Sequence, residues 1–157
     1  MLYEENDNFG KYLEDFKIGD VYQHRDKKTI IEKDNNLFCH ITMNHHPLHL
    51  DAEYAKLTIY KKIIVAGTYV ASIAVGLSVP DISGKAIANL DYEKITHDAP
   101  VFLDDTLHAE TEILEVKESK TKPDRGIVFV ETRAFNQNNQ KVLTLRRHIL
   151  IPKRGKK

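Results

Sequence analysis

Three histidines fall within five residues in the segment Asn44-His45-His46-Pro47-Leu48-His49-Leu50-Asp51. Imidazoles this close together can hold a metal ion or move protons near neutral pH. His45 and His49 have the spacing that places two ligands on one helix face. Pro47 lies between them, however, and it breaks a continuous helix while pushing His46 towards an extended conformation. No glutamate follows His45 as a helical zinc-hydrolase motif requires, and no Cys-His or carboxylate cluster elsewhere supplies an obvious third ligand. No metal is expected. The single cysteine, Cys39, sits in the apolar run Leu37-Phe38-Cys39 and reads as a small core residue rather than a nucleophile. The glycines are scattered rather than gathered into a phosphate-binding loop, and no Ser/His/Asp signature is present.

What remains is a histidine in an irregular loop near the start of an apolar helix at Gly67. A helix start presents unpaired amide hydrogens and a partial positive charge. Gly67 has no side chain, so a substrate carbonyl can approach its backbone closely. An imidazole nearby can move a proton. The competing reading is that His49 packs under the following helix and satisfies a backbone group, and the residues alone leave both open.

The elements that must position these groups come from the periodicity. Val21 to Ile31 alternates as a strand does. Asp34 can cap a short amphipathic helix over residues 34–42, with Leu37, Phe38 and Ile41 at helical spacing. Asp51 can cap a second one reaching Leu57. Gly67 to Val79 is apolar nearly all round, which predicts a helix enclosed on every side and ended by Pro80. The second half changes to a period of two. Residues 86–95, 106–116, 126–135 and 141–151 read as long antiparallel strands, with a hairpin turn at 136–140 and a polar loop at 117–125. The prediction is an α+β domain whose sheet wraps around the helix.

Length and composition bound the rest. The chain has 157 residues, enough for one domain with a real core. It has 23 basic and 23 acidic residues, so no overall field draws it to nucleic acid or to an anionic membrane. One cysteine gives secretion no support, and residues 1–8 are acidic and polar, unlike a targeting peptide. A cytoplasmic protein without a membrane span is expected. Residues 1–152 are read as one domain, and 153–157 as a basic, solvated and frayed tail.

Longer words of the sequence add a resemblance. Pro47-Leu48-His49-Leu50-Asp51-Ala52-Glu53-Tyr54-Ala55 resembles the hydratase motif of the MaoC-like dehydratases, the (R)-specific enoyl-CoA hydratase type of hot-dog protein. Ile18-Gly19-Asp20, Ile64-Val65-Ala66-Gly67 and Ala99-Pro100-Val101-Phe102-Leu103-Asp104-Asp105-Thr106-Leu107 match further words of that family in the right order. Thr42-Met43-Asn44, residues 75–79 and residues 133–137 are similar to a subgroup related to mesaconyl-CoA hydratase. The resemblance implies a hot-dog fold and reversible addition of water across the 2,3 double bond of an enoyl thioester. It places the acid/base on His49 and the oxyanion donor on the Gly67 amide, with Ala66 and His46 beside the substrate. It implies no resident cofactor, since coenzyme A enters as the carrier of the substrate. It also implies a homodimer, or a higher assembly of dimers, because the pantetheine arm enters between subunits.

The departures matter as much. Asn44 stands where the family has an aspartate, and an amide can orient water but cannot take up its proton as a carboxylate does. Ala66 replaces a frequent histidine, and Asp104 a frequent glycine. Two other functions stay open: an acyl-CoA thioesterase, although residues 67–79 carry no carboxylate, and a non-catalytic acyl-thioester-binding protein, which Asn44 favours. The carrier can be coenzyme A or an acyl carrier protein.

Overall fold

A computed structural model describes residues 8–155. The expectations for residues 1–7 and for the last two residues of the basic tail lie outside the described residues. The predicted first strand is two short ones, Val21–Gln23 (β1) and Lys28–Thr29 (β2), both antiparallel to the same later strand. The break falls at His24, whose side chain turns inwards. Its Nδ1 lies 2.7 Å from an Asp81 carboxylate oxygen and its Nε2 2.7 Å from the Thr111 hydroxyl.

The first helix, α1, is Glu32–Ile41 and starts earlier than expected. Ile31 occupies the capping position without a capping side chain. Asp34 sits in the first turn instead, where its charge faces the helix's positive end and takes a 2.6 Å bond from Lys28 Nζ. Pro47–Leu50 forms a one-turn helix, α2, with proline at its first position, where its missing N–H costs nothing. Asp51 then caps Ala52–Leu57 (α3), accepting from the Glu53 and Tyr54 amides.

The apolar helix α4 spans Gly67–Ser78. Pro80 lacks the N–H that would continue the ladder, and the chain passes into a wider π turn over Val79–Ser83. Val70, Ala71, Ala74 and Ser78 are buried, but Thr68, Ser72 and Gly76 are exposed. The expected enclosure on all sides is therefore only partial: the sheet wraps one face and leaves a stripe of small residues open.

The sheet is made of β1, β2, Ala88–His97 (β3), Thr106–Glu118 (β4), Arg125–Phe135 (β5) and Lys141–Pro152 (β6), in the order β1-β4-β5-β6-β3 with β2 also on β4. Alternation directs Leu107, Ala109, Thr111 and Ile113 of β4 inwards, with Val128, Val130 and Ala134 of β5 and Leu143, Leu145 and Ile149 of β6. Each large aliphatic group so buried contributes about 1.5–3 kcal/mol. The β5–β6 turn closes on Asn136, whose side-chain Oδ1 accepts from the Asn138 and Gln140 amides. The edge strand β3 is exposed along nearly its whole length and shows Leu90, Tyr92 and Ile95 to solvent.

The start of the basic tail is pinned rather than frayed. Lys153 Nζ pairs with Glu118 at 2.9 Å, and Arg154 bonds Asp15 at 2.8 Å and lies over the Tyr12 ring. Among the described residues no helix is long and apolar enough to cross a membrane.

Candidate active site

The histidine loop begins where α1 stops. Thr42 is its last capping residue, and Met43 follows at a φ of 60°. The Met43 amide donates to the His40 carbonyl and the Asn44 amide to the Cys39 carbonyl, at 3.3 and 2.9 Å. These paired bonds satisfy the last helical carbonyls and reverse the chain, a task usually given to glycine. His46 is then extended, and its Nδ1 accepts the Leu48 amide hydrogen at 3.1 Å. His46 thus caps α2.

His49 is held from several sides. Its Nδ1 lies 2.7 Å from the Ile64 carbonyl oxygen. A carbonyl only accepts, so Nδ1 carries the hydrogen and Nε2 holds the lone pair in the neutral ring. Ile64 is itself fixed, its amide donating to the Leu48 carbonyl and its chain bridging Phe102. The backbone carbonyl of His49 accepts from Asn35 Nδ2 at 3.0 Å, and Asn35 Oδ1 accepts from the Ala66 amide at 3.2 Å. Asn35 is fully buried. One side chain of α1 therefore ties the histidine loop to the start of α4.

Ala66 stands at the capping position of α4 but offers no capping side chain. Its amide is committed to Asn35. Among the described residues the amides of Gly67 and Thr68 have no hydrogen-bond partner. The His97 imidazole, at the end of β3, packs on Gly67: a Cβ there would lie 2.7 Å from His97 Cε1 and 2.8 Å from Nε2. Any side chain at Gly67 must displace that ring.

A cavity of about 340 Å³ is lined by His49, Tyr60, Gly67, His97 and Asp98 together with apolar side chains. Among the predicted site residues it brings together His49 and Gly67. Ala66 is adjacent through its backbone. Asn44 is half-buried and does not line it, and neither does exposed His46, whose ring centre lies 6.0 Å from that of His49. A larger hollow of about 390 Å³ around Gln23, Lys27 and His108 contains none of the predicted residues. Asn35, Tyr60, His97 and Asp98 were not singled out from sequence. Asn35 had a signal, since it is an amide on the inward face of an amphipathic helix, one turn from buried Cys39. The other three had none. Among the described residues no group of three or more His, Cys, Asp or Glu side chains converges as a metal site would.

Residues 15–134 match the MaoC like domain. The chain belongs to the MaoC-like family. It is 31% identical over 147 residues to the mesaconyl-CoA hydratase of Cereibacter sphaeroides, covering 94% of this chain and 43% of that protein. It is 30% identical over 115 residues to the (R)-specific enoyl-CoA hydratase of Aeromonas caviae, covering 73% of this chain and 81% of that protein. A Mycobacterium tuberculosis protein described as a double hotdog fold superposes with a TM-score of 0.86 at 20% identity, over 94% of this chain and 46% of that one. The fold is thus the hot-dog, as the sequence predicted. This MaoC-like chain spans less than half the length of the mesaconyl-CoA hydratase it matches.

Proposed function

We propose that this MaoC-like chain is a hydro-lyase that adds water to, or removes it from, the 2,3 double bond of an enoyl-CoA. The observation that carries the reading is the pairing of His49 and Gly67 on one cavity, with His49 Nδ1 pinned to a carbonyl and its Nε2 left to accept a proton. In the hydration direction Nε2 takes a proton from water as the oxygen bonds C3 and returns it to C2, so the imidazole ends unchanged. Charge passes to the thioester oxygen, where the unpaired Gly67 amide at the start of α4 stabilises it. Donors of this kind lower a barrier by about 3–4 kcal/mol. Asn44 acts on water or on the loop by hydrogen bonding, not as a base.

A second copy of the chain completes the site in this reading. The exposed edge of β3, with Leu90, Tyr92 and Ile95, adjoins the open stripe of α4, and the double-hotdog neighbour is about twice as long as this chain. The test is to mix purified protein with short, branched and dicarboxylic enoyl-CoAs and follow loss of the conjugated thioester absorbance. Turnover that His49→Ala abolishes is expected. A folded dimer that hydrates none of them refutes the proposal, and thiol release from saturated acyl-CoAs would put a thioesterase in its place.

A further inference from the structure

We infer that His97 is a second hydrogen-bond donor to the thioester oxygen, acting beside the Gly67 amide; this rests on the hydratase reading above. The first observation is placement. The His97 ring lies against Gly67, with Cε1 and Nε2 only 2.7 and 2.8 Å from where a β-carbon would stand, and it lines the same cavity as His49. The second is that this ring is unengaged. Among the described residues His24, His46, His49 and His148 each hydrogen bond through a ring nitrogen. His40 and His45 contact each other, and His108 stacks on Phe135. His97 has neither a hydrogen bond nor a ring partner there, although it stands beside two unpaired helix amides.

The third observation is that its backbone is fixed. His97 pairs with Leu143 at the end of the β3–β6 ladder. The next residue, Asp98, donates its amide to the Val142 carbonyl and accepts a 2.7 Å bond from the Thr144 hydroxyl. An imidazole so placed lies beside Gly67 on a backbone that does not have to move. A neutral ring still carries one N–H to offer. Addition of water moves one proton from the water to C2 through His49. His97 donates a hydrogen bond to the enolate oxygen and transfers no proton, so the balance is unchanged. The reaction does not need His97 to exchange protons; it needs a donor that is already oriented, because water reorganising around the new charge would cost more.

The test compares His97→Phe, which keeps an aromatic ring but loses the donor, with His97→Gln, which keeps a donor. For the enoyl-CoA that the wild type turns over best, His97→Phe should lower kcat about 100-fold, with KM moving less than about threefold and His97→Gln recovering part of the loss. A 3-arylpropenoyl-CoA bound as a chromophore should show a smaller red shift in His97→Phe, because that shift reports polarisation of the carbonyl. His97→Phe with wild-type kcat and wild-type red shift overturns the inference and leaves the hydratase reading standing. Equal losses in both variants overturn it too, since they would mark a packing role. A wild type without turnover on any enoyl-CoA overturns both.

Discussion

Replacing Asn35 by alanine removes both hydrogen bonds that join the His49 loop to the start of α4. The side chain is fully buried, and it links the His49 carbonyl at 3.0 Å to the Ala66 amide at 3.2 Å. Truncation leaves a half-buried carbonyl and a buried amide without their partner. A buried orphan costs about 1–3 kcal/mol and the half-buried carbonyl lies at the low end of that range, so the variant should lose about 2–4 kcal/mol. A domain of this kind has only about 5–15 kcal/mol in total. A loss of about 3 kcal/mol corresponds to a fall in Tm of about 6–12 °C at this size. Urea unfolding of wild type and variant measures it. The neighbouring Asn36 is an internal control, because its side-chain carbonyl is buried without a partner among the described residues. Asn36→Ala should be nearly neutral. Catalysis should suffer separately: in Asn35→Ala that remains folded at low temperature, kcat should drop about 100-fold, because small misplacements of a reacting group are that costly. An Asn35→Ala protein within about 0.5 kcal/mol of wild type would refute the reasoning, since a fully buried bridge cannot be lost at the cost of a surface substitution.

Met43 holds a left-handed backbone while its side chain is 76% exposed. Met43→Gly should therefore stabilise by about 1 kcal/mol in urea unfolding, with kcat unchanged. Arg147 is 2% exposed, and among the described residues its side chain bonds only the neutral Ser78, Ser83 and Asn89 and leaves its Nε unpartnered. Arg147→Met should be at least about 2 kcal/mol more stable than Arg147→Ala, because it fills the space that alanine leaves as a cavity. Burial pushes the Arg147 pKa down, with Tyr92 acting the other way. The folded form thus binds that proton less tightly than the unfolded one. The penalty is full at neutral pH and eases only once pH rises through the lowered value, so any gain of wild type relative to Arg147→Met is confined to strongly alkaline conditions.

The long strands were legible because half-buried strands alternate: β5 follows that alternation residue by residue, β4 does so up to Ile113, and β6 does so after a fully buried run over residues 142–145. The β1–β2 break was not, because its cause is a contact between His24 and Asp81 that are far apart in sequence. Asp34 looked like a cap by residue type, but the helix begins two residues earlier at Glu32, with Lys28 drawing its carboxylate. At the site, the three histidines separated by role only in three dimensions. Pro47 told that they would not share a helix face. It could not tell that His46 would cap α2 while His49 reached the Ile64 carbonyl. His97 was invisible for a plainer reason: nothing in a strand end says that the ring will fold back over a glycine thirty residues earlier.

The orientation of His49 comes from backbone, not from a carboxylate partner, and this bears on Asn44. An aspartate beside a catalytic histidine can do two things: hold the ring and take up a proton. Here the ring is already held, since Ile64 fixes Nδ1 and Asn35 fixes the main chain. Asn44 neither lines the cavity nor bonds His49 among the described residues. Losing a carboxylate at that position therefore removes a proton acceptor without loosening the imidazole. The proposed hydration needs only one net transfer, from water to C2, and in that proposal a single well-held imidazole makes both halves of it. The demand then shifts to the negative charge on the thioester oxygen, which must be stabilised by fixed dipoles. That is the part of the cavity where Gly67 and His97 leave donors unspent among the described residues.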